Sequence, residues 1–92
     1  MATDGYGWDA VKAASNLRKH GVDFSEAVVA LEDPLALTML DPESNGEERH
    51  VSIGMDSHGR VLVTLFTQRG DAIRIISSRR ATTRERRIYQ ED

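Results

Sequence analysis

Arg60-Val-Leu-Val-Thr-Leu-Phe-Thr67 places Val61, Val63 and Leu65 on one face of an extended chain and Leu62, Thr64 and Phe66 on the other. A strand apolar on both faces belongs in the middle of a sheet, covered from above and below. The turn-forming run Asp56-Ser-His-Gly59 precedes it and Gln68-Arg-Gly-Asp71 follows it, so hairpins lead to its neighbours. On one side, Glu48–Ile53 alternates, with Val51 and Ile53 opposite His50 and Ser52. On the other, Ala72–Ser77 sets Ile73 and Ile75 against Arg74 and Ile76. Leu35–Leu40 is a further apolar, extended stretch, and Asp41-Pro-Glu-Ser-Asn-Gly46 reads as a loop.

Helical signals flank this meander. Asp9 reads as an N-cap, with Trp8 before it to staple the first turn and Gly21 as the stop. Val11, Ala14 and Leu17, with Ala13, supply the expected buried face of a helix over Ala10–His20. Asp23-Phe-Ser-Glu26 reads as a capping box for a second, short helix with Phe24, Ala27, Val28 and Leu31 inward, ending near Asp33-Pro34. Thr82-Thr-Arg-Glu85 opens a last helix to about Tyr89. The expected class is α+β: two N-terminal helices on one face of an antiparallel meander, and a C-terminal helix. Arg74 projects from the less apolar face, which leaves a shallow basic groove beside the last helix.

The chain has 92 residues, which fits a single domain over 1–92. It has no cysteine, which excludes disulfides, thiolate zinc sites and a cysteine nucleophile. His20, His50 and His58 do not share ligand spacing with acidic neighbours, so neither a metal nor another cofactor is expected. The longest apolar run, Ala27–Leu31, is far short of a membrane span, and Met-Ala-Thr-Asp-Gly lacks the parts of a signal peptide. A cytoplasmic protein is the expectation.

The net charge of −3 is unevenly spread. Residues 1–45 sum to −5 and residues 46–92 to +2, and all nine cations of the second part are arginine. Between 74 and 87 there are six arginines and one acid. Arginine grips phosphate bidentately, so a confined anionic partner is one reading. A solvated helix face is the other.

The ordered residues resemble a family. Trp8-Asp9, Lys12, Asn16-Leu-Arg-Lys19-His20-Gly-Val-Asp-Phe24-Ser-Glu26-Ala27 is similar to the opening signature of BrnT toxins. Glu48-Arg49, Ile53-Gly54, Gly59-Arg-Val-Leu-Val63, Thr67-Gln-Arg69 and Ile73-Arg-Ile-Ile-Ser-Ser-Arg79-Arg-Ala81 resemble its strands, and Glu85 with Tyr89 its closing helix. The likeness covers roughly 8–89 in the expected order. Ala10 departs from it, where the family often has proline, and this affects helix initiation only. The resemblance implies a RelE-like ribonuclease fold and RNA cleavage that inhibits translation, either on free RNA or at the ribosome. It implies neutralisation by a BrnA-like ribbon-helix-helix antitoxin, with DNA contacted only through that complex.

Metal-independent RNA cleavage needs a base for the 2′-OH, an acid for the 5′ oxygen, and cations around the phosphorane. The catalytic candidates are Lys19, His20, Arg49, Arg69, Arg79 and Tyr89, with Arg74 and Arg80 as phosphate contacts. Each has a bland alternative. Lys19 and His20 suit the last turn of any helix, Arg49 has Glu47 and Glu48 for pairing, and Tyr89 suits helix packing. Arg69, placed in a hairpin turn, and Arg79, placed just past the last strand, are the stronger phosphate candidates. Arg84, Arg86 and Arg87 read as a solvated or partner-facing surface. Glu26 is explained by its capping box, Asp33 by a turn, and Asn16 by a structural hydrogen bond to a strand or loop. The competing function is a non-catalytic module that acts with a partner as a co-repressor. A free-standing DNA binder is opposed by the net negative charge.

Overall fold

The computed structural model describes residues 2–3, 5–43 and 48–91. Its elements are β1 (Ala2–Thr3), β2 (Tyr6–Gly7), α1 (Ala10–His20), α2 (Phe24–Leu31), β3 (Leu37–Leu40), β4 (His50–Met55), β5 (Val61–Arg69), β6 (Ala72–Arg80) and α3 (Thr83–Gln90). The sheet order is β1-β2-β6-β5-β4-β3. The antiparallel meander β3 to β6 is as the alternation requires. The short β2 joins β6 in parallel, so the complete sheet is mixed. β5 is central, and Val61 through Thr64 are all buried.

Each face of the sheet has its own cover. Phe24 and Ala27 of α2 pack on Ile75, with Tyr6, Trp8 and Ala13 around them, and Val22 and Ala30 pack with Leu62. The opposite face gathers Ile53, Val61 and Val63 beneath Ala81 and Tyr89, so α3 lies across it.

The caps form largely as read. Asp9 accepts from the Val11 N–H at 2.8 Å, and Gly21, at φ 70°, donates to Leu17 O. Thr82 and Glu85 exchange both bonds of a capping box. In the second helix, Asp23 alone caps, accepting from the Ser25 N–H. Glu26 does not complete a box. Its carboxylate crosses to the β4–β5 turn and accepts from the Ser57 N–H and Oγ–H at 3.0 and 2.6 Å.

Three further expectations are corrected. Val11 is 76% exposed and Leu17 47%, whereas Ala13, Asn16 and His20 face inward. α1 docks through a polar pin, so its apolar positions do not mark its buried face. β6 reaches Arg80, opposite Leu62, which puts Arg79 inside the strand and not beyond it. β5 reaches Arg69, leaving only Gly70-Asp71 for the turn, so Arg69 is a strand end. The β5–β6 register also slips by one residue, from Leu65↔Ser77 to Phe66↔Ile75. Ile76 is the extra residue of this bulge, which shifts the phase of the strand beyond Ile75.

Two acids fasten α3. Glu85 accepts both Arg79 guanidinium bonds at 2.8 and 2.9 Å. Asp33 accepts from the Tyr89 hydroxyl at 2.5 Å and from the N–H groups of Leu35 and Met55. The Arg79 guanidinium and the Thr82 N–H hold the Glu85 carboxyl down at about 2 against the opposing effect of burial. The bond to Asp33, with burial, pushes Tyr89 up to about 12. Glu85 therefore stabilises α3 fully above its unfolded value near 4.3, and loses that contribution as pH falls toward about 2. Tyr89 contributes fully below about 10, and loses its contribution as pH rises through about 12. α3 is thus expected to stay docked from about pH 5 to pH 10 and to loosen at both extremes. Tyrosine absorbance should show a titration near 12 that Asp33→Asn moves back toward 10. An unmoved titration would separate Tyr89 from Asp33.

Candidate active site

Lys12, Asn16, Lys19 and His20 share one face of α1 by helical spacing. That face lies on the β6 edge. Together with Ser15, Ile76 and Ser77, these side chains line a pocket of about 190 Å³. The parallel pairing with β2 ends at Gly7↔Arg74, so among the described residues the following edge of β6 has no strand beside it. Asn16 takes that place. Its amide nitrogen donates to Ser78 O at 2.8 Å and to Val22 O at 3.1 Å, and its oxygen accepts the Ser78 N–H at 3.1 Å. The side-chain amide thus satisfies one strand residue as a neighbouring backbone would. It fixes the last turn of α1 beside Ser77, as expected of a structural asparagine.

Arg74 enters at the other end of the same flank. Hydrogen bonds from Val11 and Lys12 hold the Asp9 carboxyl below the usual range, against burial, and the charges of Lys12 and Arg74 add to this. Arg74, Lys12, Lys19 and His20 therefore follow α1 along β6. Among the described residues, no acid pairs with Lys19 or His20. The last turn carries Arg18, Lys19 and His20 at the negative end of the helix dipole. Phosphate oxygens are a fitting occupant of such a cleft.

The other candidates lie elsewhere. Arg79 is committed to Glu85, and Tyr89 to Asp33. Arg49 stands 3.9 Å from Asp41, while Glu47, a suggested partner, is outside the described residues. Arg69 closes β5 and pairs in register with Ala72. Arg80 ends β6 and lines a second pocket, described below. Sequence reasoning passed over Lys12 as a site residue. Its spacing of seven from Lys19 and eight from His20 was the available signal.

Among the described residues, no group of three or more His, Asp or Glu is placed to hold a metal ion, and no helix is long and apolar enough to cross a membrane. The family described as "Ribonuclease toxin, BrnT, of type II toxin-antitoxin system" matches residues 8–85. The crystal structure of the Brucella abortus ribonuclease toxin, BrnT, superposes with a TM-score of 0.64 at 26% identity, covering 85% of this chain and 96% of that one. No curated protein sequence matches the chain.

Proposed function

The chain belongs to the BrnT family of ribonuclease toxins of type II toxin–antitoxin systems, and from that premise we propose that the cleft between α1 and β6 is where it cleaves RNA. The observation that carries the reading is the grouping of Lys12, Lys19 and His20 over Ile76 and Ser77. In the proposed reaction, the 2′-OH loses its proton and its oxygen attacks the adjacent phosphorus. The bond to the 5′ oxygen breaks, and that oxygen takes up a proton. The products are a 2′,3′-cyclic phosphate and a 5′-OH end. His20 is the proton-transfer group, since imidazole suits that work near neutrality. Lys12, Lys19 and Arg74 stabilise the charge on the phosphorane. Arg79 and Tyr89 act as positioning residues, because their polar atoms hold α3 in place. Arg49, beside Asp41 at the β3–β4 side of the sheet, and Arg69, at the β5–β6 turn, lie outside the cleft and have no part in the proposed step.

In the cell, this cleavage inhibits translation. The neutralising partner is a BrnA-type ribbon-helix-helix antitoxin, whose acidic or amphipathic segment covers the cations of the cleft. The experiment is to incubate the purified chain with RNA in the presence of a chelator and to identify the new ends. Cyclic-phosphate and 5′-OH ends are expected. His20→Ala and Lys19→Ala should each slow cleavage at least about tenfold, with the circular dichroism spectrum unchanged. Full activity in both folded variants would remove the site from this cleft.

A further inference from the structure

A second basic cavity lies around the corner of the sheet from this cleft. It measures about 470 Å³ and is bounded by the β4–β5 turn, the end of β6 and α3. Arg60, Arg80 and Arg86 line it, with His58 and Gln90. Its charges are not equivalent. The Arg60 Nε donates to Asp56 at 2.8 Å, and the Asp56 side chain is fully buried. That pair carries no net charge, and its Arg60 forms part of the wall of the cavity. His58 stands 3.7 Å from Glu26, at the outer rim. Arg80 has no acid partner among the described residues, and Arg86 reaches only Thr83 Oγ1 at 3.5 Å. Two guanidiniums therefore line the cavity with no carboxylate paired to them among the described residues, beside a neutral amide donor.

The cavity and the cleft share no lining residue, but Arg60 links them. The same Arg60 that forms its wall donates from Nη1 to Gly21 O, the carbonyl next to His20, at 3.1 Å. Ser77 lines the cleft and Arg80 the cavity. Arg80 lies three residue steps along β6 from Ser77, about 10 Å at about 3.3 Å per residue. One phosphate does not fill both places, whereas successive phosphates of one strand do.

We infer that Arg80 and Arg86 form a second phosphate subsite, which holds the backbone of single-stranded RNA beyond the linkage in the α1–β6 cleft. The inference rests on the reading of that cleft as the cleavage site. It makes the substrate an RNA of several nucleotides, and it assigns Arg86 a role that the charge pattern alone left as solvated surface. Contacts to backbone phosphate carry no base preference, so the subsite sets a minimum length and not a sequence.

The test measures binding by anisotropy, using 2′-O-methyl RNA that cannot be cleaved, as a dinucleotide and as a hexanucleotide. The hexamer should bind at least about tenfold more tightly than the dimer. In Arg80→Gln/Arg86→Gln that ratio should collapse toward one, and the salt slope for the hexamer should fall by about 1.4, corresponding to two lost single-strand contacts. Arg84→Gln, an exposed α3 arginine that does not line the cavity, should keep the ratio. An unchanged ratio in the double variant, or an equal loss in Arg84→Gln, overturns the subsite. Loss of oligoglutamate binding with RNA discrimination intact also overturns it, in favour of a protein partner. Cleavage of unmodified RNA by the wild-type chain is scored separately, so inactivity with discrimination intact faults the catalytic reading and not the subsite.

Discussion

Asn16→Ala should destabilise the protein by about 3–5 kcal/mol. The substitution removes three buried hydrogen bonds: two donated by the amide nitrogen, to Val22 O and Ser78 O, and one accepted from the Ser78 N–H. Water has no ready route to these groups, since Asn16 is 6% exposed and Ser78 not at all. Leaving a buried backbone donor or acceptor without a partner costs about 1–3 kcal/mol each. Against a total stability of about 5–15 kcal/mol, that loss lowers the melting temperature by at least about 12 °C at this chain length. Asn16→Asp is the sharper variant, because it keeps an acceptor for the Ser78 N–H and loses both donors. Circular dichroism melts of the two variants test the claim. A fall of less than about 3 °C in Asn16→Ala would mean that α1 is held by something else.

Gly54→Val should cost about 3 kcal/mol or more, for a steric reason. Gly54 is not among the glycines with positive φ, so its backbone conformation is open to any residue. A Cβ built there, however, meets the Ala30 carbonyl oxygen at 2.2 Å and the Ala36 Cβ at 3.1 Å. The first of these atoms is helix backbone and cannot rotate away. α2 would have to lift from β4, and overpacking of this kind costs about 1–3 kcal/mol even for small additions. The movement would spread, because Asp33 follows α2 and binds both Met55 N and Tyr89. Urea denaturation should show Gly54→Ala losing at least about 1 kcal/mol, and Gly54→Val losing more. A Gly54→Ala midpoint equal to that of the wild type would show that α2 yields freely.

These two residues mark where the sequence was readable and where it was not. The periodicity of Arg60–Thr67 identified the central strand, and Asp9 with Gly21 fixed both ends of α1, because caps and alternation are local. Asn16 could be recognised as a misfit inside a helix, but its partner lies 62 residues away. The exposed Val11 and Leu17 misled for the same reason: apolar spacing locates a buried face only where the contact is apolar. Ile75 faces the helices as its alternation with Arg74 implied, but the bulge at Ile76 shifts the phase beyond it, so that Ser78 shares the face of Ile75, and nothing in the local pattern signals that break. Glu26 satisfied a local capping pattern, yet its strongest partner is Ser57, across the sheet. Among the site candidates, clustering in sequence drew attention to the arginines of 74–87. The structure divides them among an ion pair, one pocket, the flank of β6 near Asp9 and solvent.

The pin between Asn16 and Ser78 also bears on how a dangerous protein is made. At about 5–20 residues per second, the 62 residues from Asn16 to Ser78 take about 3–12 s to synthesise. α1 is complete early in that interval, but the strand it must grip follows only at its end. Lys19 and His20 therefore spend most of that interval without Ser77 beside them. A prematurely terminated chain ending before β6 would carry the helix and its cations with nothing to assemble against. The proposed cleft comes into being only once β6 has been made, so the order of synthesis joins the candidate cations late to the strand they face.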